Sequence, residues 1–336
     1  MCYLAGFQRN SKEGIALKVS VTLNRTDVSD SHLRLLTQIG VDCIDFGSGS
    51  SFAGVKEQGY PDLDGLLQLK KRIQSWGMDI NRVTLPDISS RFVEGLEGSE
   101  QELEHSVSAM KAFGEAGIPI VRQRIQGDNR FDKNVMYNAK QRGGLIARGE
   151  NWANVMTGLP TPEEQERWWS RFCDVYSRLV PAAEENNLLL AMHPTDTPLP
   201  GMPYSSLGFH RIIDAFPSKR VGYVYCVGTR GEAGGTPLVL DEIQHYGRKG
   251  RIFSVHLRNV RGSLATAYGF EEALLDDGDM NMFRIVMALH KIGFTGCLNA
   301  DHMPQLEGDD SNRLLAWTYS VGYIKALLAA LAEFTG

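Results

Sequence analysis

Four side chains that bind divalent cations are spread through the second half of the sequence: His193, Cys226, His256 and Asp301. Each stands at or near the carboxyl end of a segment that reads as a short buried strand: Leu188–His193, Val221–Val227, Arg251–Val260 and Gly296–His302. Taken singly, each has an ordinary reading. His193 can cap a strand before Pro194, and free cysteine is among the most buried residue types. His256 can be a hydrogen-bonded core histidine, and Asp301 a turn residue. Four such residues at four successive strand ends form a constellation instead. Imidazole, thiolate and carboxylate together suit Zn²⁺, Fe²⁺ or Mn²⁺. Four protein ligands close a tetrahedral zinc site, whereas an ion taking five or six ligands keeps positions open for a chelating substrate. Catalysis therefore favours Mn²⁺ or Fe²⁺, with zinc as the structural alternative.

Other groups near these strand ends extend the chemistry. His302 follows Asp301 and, on a regular strand, points to the opposite side, although a twisted strand end brings it over the site. A histidine beside a metal but outside its ligand set is a candidate general acid or base, its unperturbed pKa being about 6.5. Arg258 and Asn259 lie just past His256, where a guanidinium can bind a substrate carboxylate in bidentate fashion; a surface salt bridge is the plainer alternative. Arg122 and Arg124 share one face of the segment Pro119–Gln126 and add positive charge to the site if they point inward. Asp277 or Asp279, in an acidic stretch read as a solvated loop, can also reach it.

The elements that must position these groups alternate. Strands are expected at 16–23, 41–46, 79–85 and 119–126 before the four already named, with helices at 31–39, 63–76, 99–116, 161–187, 205–216, 238–246, 280–292 and 312–333. Asp27 or Ser29 caps the first helix, a capping-box pattern opens the third, and Thr161 followed by Pro162 opens the fourth. Eight strand–helix alternations argue for an α/β protein with a parallel sheet, most simply a (β/α)8 TIM barrel folded as a single domain over 1–336. A doubly wound open sheet is the alternative, and no GxGxxG follows the first strand to support it. In a barrel, reactive residues sit at the carboxyl ends of the strands, with Ser254, His256 and Arg258 on the inner face of their strand and Phe253, Val255 and Leu257 on the outer one. The rhythm breaks at 127–160, an inserted loop expected to act as a lid or an oligomer arm.

Composition narrows the partners. The 336 residues carry a formal net charge of −5, which gives no basic face for nucleic acid. Five scattered cysteines without CxxC spacing fit a reducing compartment and a cytoplasmic address. No membrane partner is expected, since no apolar segment was expected to approach the roughly 20 residues a spanning helix needs.

At these residues the sequence resembles the mannonate dehydratase family, within the xylose-isomerase-like barrels. The resemblance is carried by HPTDTP (193–198), YCVGT (225–229), VHLRNV (255–260), GDM (278–280) and ADH (300–302), and more faintly by GEAGIPIV (114–121) and GYIKAL (322–327). It implies that His193, Cys226, His256 and Asp301 hold Mn²⁺ or Fe²⁺, that His302 is catalytic, and that a sugar acid is the substrate, D-mannonate being converted to 2-keto-3-deoxy-D-gluconate. The resemblance further implies a homo-oligomer, a dimer or larger. The family's catalytic tyrosine falls at Leu315, and Tyr319, one helical turn on, is the residue that can replace it; DHMP stands here for the family's DHGR. A metal-dependent sugar isomerase or epimerase is the enzymatic alternative, and a catalytically lapsed sugar-acid-binding barrel the non-enzymatic one. A barrel nuclease is disfavoured by the net charge and the cysteine.

Overall fold

The computed structural model describes residues 17–125, 135–151, 161–194, 206–309 and 313–335. Eight parallel strands close into a barrel: β1 (Lys18–Leu23), β2 (Cys43–Phe46), β3 (Asp79–Thr84), β4 (Ile120–Arg122), β7 (Leu189–Met192), β8 (Val221–Cys226), β9 (Ile252–His256) and β12 (Cys297–Asn299). The closed order is β1-β12-β9-β8-β7-β4-β3-β2. Four further strands, β5 (Val135–Lys140), β6 (Ile146–Asn151), β10 (Asn259–Arg261) and β11 (Gly269–Ala273), make a separate antiparallel sheet in the order β10-β11-β6-β5.

Local chemistry places the helices. Ser29 caps Asp30–Ile39 by accepting from the His32 N–H, and Gly40 ends that helix at φ +93°, where a side chain is strained. Thr161 and Glu164 form a full capping box on Pro162–Glu185. Ser99 does not cap Glu100–Glu115; its hydroxyl turns back to the Leu96 carbonyl. The helix expected at 238–246 begins much earlier, as Val227–Arg248, with a kink at Gly235. The glycine-rich run VGTRGEAGG reads as loop by propensity, yet its first turns are buried, with Gly231 close against Val260 and Met280.

Apolar residues on the outer strand faces join the helices in one large cluster, while Ile120, Ala191, Val224 and Phe253 form a small second one. Phe253 was expected on the outer face. The β8–β9 register shifts at Tyr223/Val224, leaving Phe253 as the extra residue of a bulge and re-aiming it. Higher in the barrel the interior is polar: Asp45 accepts from Ser20 Oγ (3.0 Å), Asn81 Nδ2 (2.7 Å) and Asn299 Nδ2 (2.7 Å), with Arg82 3.8 Å away.

Two expectations change here. Part of the segment 127–160 is not loop: 135–151 is the hairpin β5–β6, docked on β11, while 127–134 and 152–160 lie outside the described residues. Its alternation was hidden because strand β5 is exposed on nearly all its residues. Among the described residues one helix, Leu314–Phe334, is long and apolar enough to cross a membrane by length and composition alone. It packs against Met282–Lys291, β1 and Asp30–Ile39, with Trp317, Val321, Ile324 and Leu331 in the core and Lys325 Nζ on the Gly40 carbonyl.

Candidate metal centre at the barrel mouth

The ligand-capable atoms of His193, Cys226, His256 and Asp301 all lie within 4.8 Å of one another, at the carboxyl ends of β7, β8, β9 and β12. Two ligands on one ion can be separated by at most about two bond lengths, roughly 4.5 Å for a sulfur and a nitrogen. The cluster is therefore within a few tenths of an ångström of coordinating distance.

Each member is oriented by its surroundings. His193 Nδ1 lies 2.5 Å from the Pro194 carbonyl, which can only accept, so Nδ1 carries the proton and Nε2 keeps the lone pair. Cys226 is the N-cap of Val227–Arg248, and its sulfur accepts from the N–H of Thr229 (3.4 Å), from Thr229 Oγ1 (3.2 Å) and, at 3.7 Å, from Arg258 Nη2. Burial opposes ionisation of that thiol. Arg258 and the two histidines outweigh it and hold the group well below the usual cysteine range. His256 is buried, and neither ring nitrogen makes a well-formed hydrogen bond, although Nδ1 is 3.3 Å from Asp301 Oδ2.

Asp301 is held by its backbone. Strand β12 stops at Asn299, and Asp301 takes a left-handed φ of +60°. Aspartate tolerates this region better than most residues. Its N–H donates to Asn299 Oδ1 (2.7 Å), while Asn299 Nδ2 donates to the buried Asp45, so the polar interior of the barrel braces the turn. The same turn brings His302 to the site. Its Nδ1 is 3.0 Å from Glu272 Oε1 and its Nε2 3.4 Å from Asp301 Oδ2. Burial lowers the His302 pKa, but Asp301 and Glu272 dominate and raise it.

Behind the cluster lies an ionic network that was not foreseen. Arg258 is buried and reaches Glu232 (3.0 Å), Glu272 (2.8 Å) and Asp301 (3.4 Å). Arg148, from the inserted hairpin, meets Glu150 (3.4 Å), Glu232 (3.3 Å) and Glu272 (3.1 Å). Gly228 makes room, for a Cβ there would sit 2.6 Å from Arg258 Cβ. Two guanidiniums thus face the carboxylates of Glu150, Glu232, Glu272 and Asp301 and the Cys226 thiolate. This anionic excess is what a divalent cation neutralises, and it fits the donor set to such an ion. It also accounts for His256, which burial would push down but which Asp301 and Cys226 raise to about 8. The one clue to Glu272 in the sequence is the alternation in GFEEA, where Phe270 and Glu272 share the buried face of β11.

The expected substrate-binding residues have partners within the protein. Arg258 was expected to hold a substrate carboxylate; three carboxylates of the protein already do so. Asn259 was expected beside it, but Nδ2 donates to the carbonyls of Leu275 (2.9 Å) and Met280 (3.0 Å), and Oδ1 accepts from the N–H groups of Val260 (3.0 Å) and Met280 (3.1 Å). All its capacity is spent on pinning the loop after β11. Arg124 lies past the end of β4, its side chain half exposed and 3.7 Å from Asp87. Asp277 pairs with Arg261 (2.6 Å), and Asp279 accepts from the Gly262 N–H (2.7 Å). Tyr319, the candidate catalytic tyrosine, is tied to Asp276: it donates to Oδ1 at 2.5 Å and accepts from that residue's N–H at 3.2 Å. Tyr319→Phe is accordingly expected to cost about 1 kcal/mol of stability and less than a twofold change in kcat, read by urea unfolding and initial rates. Leu315 is exposed on the same helix.

A cavity of about 590 Å³ opens beside the cluster, between the β5–β6 hairpin and the chain after β12. Met136, Tyr137, Arg148, Glu272, His302 and Arg313 are among its lining residues.

A closed parallel barrel carrying His, Cys, His and Asp at its carboxyl mouth defines a metal-binding α/β barrel. Within that class, the sequence profile of D-mannonate dehydratase (UxuA) matches residues 161–335, and the chain belongs to the mannonate dehydratase family. It is 23% identical to the mannonate dehydratase of Streptococcus pneumoniae (strain 70585) over 317 residues, covering 82% of this chain and 85% of that one. It is 29% identical to mannonate dehydratase 2 of Halalkalibacterium halodurans over 177 residues, or 48% of this chain and half of that one. Among solved structures, the mannonate dehydratase of Streptococcus suis serotype 2 superposes with a TM-score of 0.76 at 21% identity, covering 94% of this chain and 96% of that one. A D-psicose 3-epimerase of Clostridium cellulolyticum H10 shares the barrel at a TM-score of 0.59 and 10% identity, over 93% and 99% of the two chains.

Proposed function

We propose that this chain is a metal-dependent sugar-acid dehydratase that converts D-mannonate to 2-keto-3-deoxy-D-gluconate and water. The observation that carries this reading is the four-donor cluster with His302 beside it, 3.4 Å from Asp301 and lining a cavity, in a chain of this family. His193, Cys226, His256 and Asp301 would hold Mn²⁺ or Fe²⁺, which supplies Lewis acidity toward substrate oxygens when bound.

The reaction breaks the C2–H and C3–O bonds and leaves an enol, which becomes the 2-ketone; the departing hydroxyl takes a proton and leaves as water. Nothing is oxidised or reduced overall, so the protein must supply proton transfer and charge stabilisation. His302 carries one of the two proton transfers. Glu272 engages Nδ1, which leaves Nε2, 3.4 Å from Asp301 Oδ2, as the exchanging atom. Arg148, Arg258 and Glu272 hold His302 and Asp301 in place rather than touching substrate. The described part of the inserted segment, 135–151, serves as a wall of the cavity, since Met136, Tyr137 and Arg148 line it. We further propose one barrel domain over 1–336, assembly as a dimer or larger, and a cytoplasmic location, the last supported by free cysteines at 43, 173, 226 and 297.

The test is a panel of sugar acids incubated with the Mn²⁺- or Fe²⁺-loaded protein. Formation of a 2-keto-3-deoxy acid supports the dehydratase. Isomerised or epimerised product without loss of water supports the isomerase alternative, and binding without any product supports the lapsed barrel. In the same assay, His302→Gln is expected to lower kcat by about 10²–10⁴-fold while the metal content stays at the wild-type level.

A further inference from the structure

The proposed substrate is an anion, and the arginines first expected to recognise it are committed elsewhere. Arg258 is held by Glu232, Glu272 and Asp301, and Arg124 is not among the residues lining the cavity; Arg148, which was not foreseen and does line it, meets Glu150, Glu232 and Glu272. Among the described residues, one other arginine lines the cavity. We propose that Arg313 binds the carboxylate of the sugar acid and sets the enzyme's preference for acids over neutral polyols. This rests on the dehydratase reading for the identity of the acid.

Arg313 is half-buried and sits immediately before the helix Leu314–Thr335, at φ +54°. Its Nη1 donates to the Met303 carbonyl at 2.9 Å, and its own carbonyl accepts from the Trp317 N–H at 2.9 Å, so both backbone and guanidinium are anchored. Among the described residues no carboxylate lies within ion-pair distance of it. The acid nearest in sequence among them, Asp309, is spent on the helix: its two oxygens accept from the N–H groups of Leu315 and Ala316, each at 3.0 Å. The helix end is thereby closed to a ligand, and the arginine side chain is what remains. With Nη1 turned to Met303, the Nε–Nη2 edge keeps the planar fork that matches a carboxylate. His302 and Met303 line the same cavity, so an acid held at Arg313 lies in the space onto which His302 opens.

The experiment measures binding of D-mannonate and of D-mannitol, its neutral polyol counterpart, to the Mn²⁺-loaded protein by calorimetry, beside steady-state kinetics. The wild type is expected to prefer the acid by at least about tenfold. Arg313→Met should remove that preference and raise KM for the acid by about 10- to 100-fold, with a smaller change in kcat and unchanged Mn²⁺ content. Arg313→Lys, which keeps the charge without the fork, should recover part of the preference, and it reports even if the methionine variant folds poorly. The proposal is overturned if Arg313→Met retains the full preference, or if the wild type binds acid and polyol alike. Selective binding of mannonate without 2-keto-3-deoxy product would refute the dehydratase reading instead, and the comparison of acid and polyol still decides the role of Arg313.

Discussion

Replacing Cys226 with alanine empties the barrel mouth of its cation. Loss of an outer partner of a metal ligand costs roughly 10- to 100-fold in affinity, and loss of the ligand itself costs more than that. Purified Cys226→Ala is therefore expected to hold little Mn²⁺ or Fe²⁺ by elemental analysis and to lose dehydration in proportion. Folding should suffer little, by about 1 kcal/mol, because Arg258 keeps Glu232, Glu272 and Asp301 as partners. The contrast is with a core cysteine, whose removal would lower stability and leave the metal content alone. A Cys226→Ala protein with normal metal content would show that the thiolate is not a ligand.

Arg258→Met has the opposite profile. Among the described residues it removes the one guanidinium within ion-pair distance of Asp301, and it leaves Glu232 with Arg148 and Glu272 with Arg148 and His302. Breaking a buried ion pair from one side typically costs about 3–5 kcal/mol, since the remaining charges stay in a dry environment. We expect a loss of that size in urea unfolding, together with weaker metal binding. Adding Glu272→Gln should recover part of it, and the two changes should couple by about 1–3 kcal/mol in a double-mutant cycle. If Arg258 instead binds substrate, Arg258→Met should raise KM and leave the unfolding curve where it was. The burial of Glu232 points the same way. Burial and the neighbouring Glu272 raise its pKa to about 8 despite Arg258 and Arg148, so its charge depends on those two arginines.

Much of the architecture was legible because its signals are local. Strand–helix alternation marks a barrel, and the metal-capable residues fell at strand ends, where side-chain periodicity already put His256 on the inner face. What remained hidden is non-local. Arg258 reads as a free cation in VHLRNV because its partners come from three other places in the chain: the first turns of a glycine-rich helix at Glu232, an appended strand at Glu272 and the turn at Asp301. Asn259 reads as polar and therefore available, whereas its four hydrogen bonds are to backbone groups that only the folded loop brings near. The hairpin 135–151 was read as loop because a strand exposed on both faces lacks the alternation by which strands are recognised. Phe253 was misassigned for a related reason, since a bulge inverts the face and leaves no local trace. His302 was reached only through a strand end that does not stay regular, as the φ of Asp301 makes plain.

We propose that one cation held by His193, Cys226, His256 and Asp301 supports dehydration of a sugar acid. Metal content and 2-keto-3-deoxy acid formation can be measured on the same sample of wild-type protein, stripped with chelator and then titrated with Mn²⁺. Both are expected to rise together and to level off at about one ion per chain. Full turnover in the stripped protein, or an ion bound stoichiometrically with no 2-keto-3-deoxy product from D-mannonate, would contradict it.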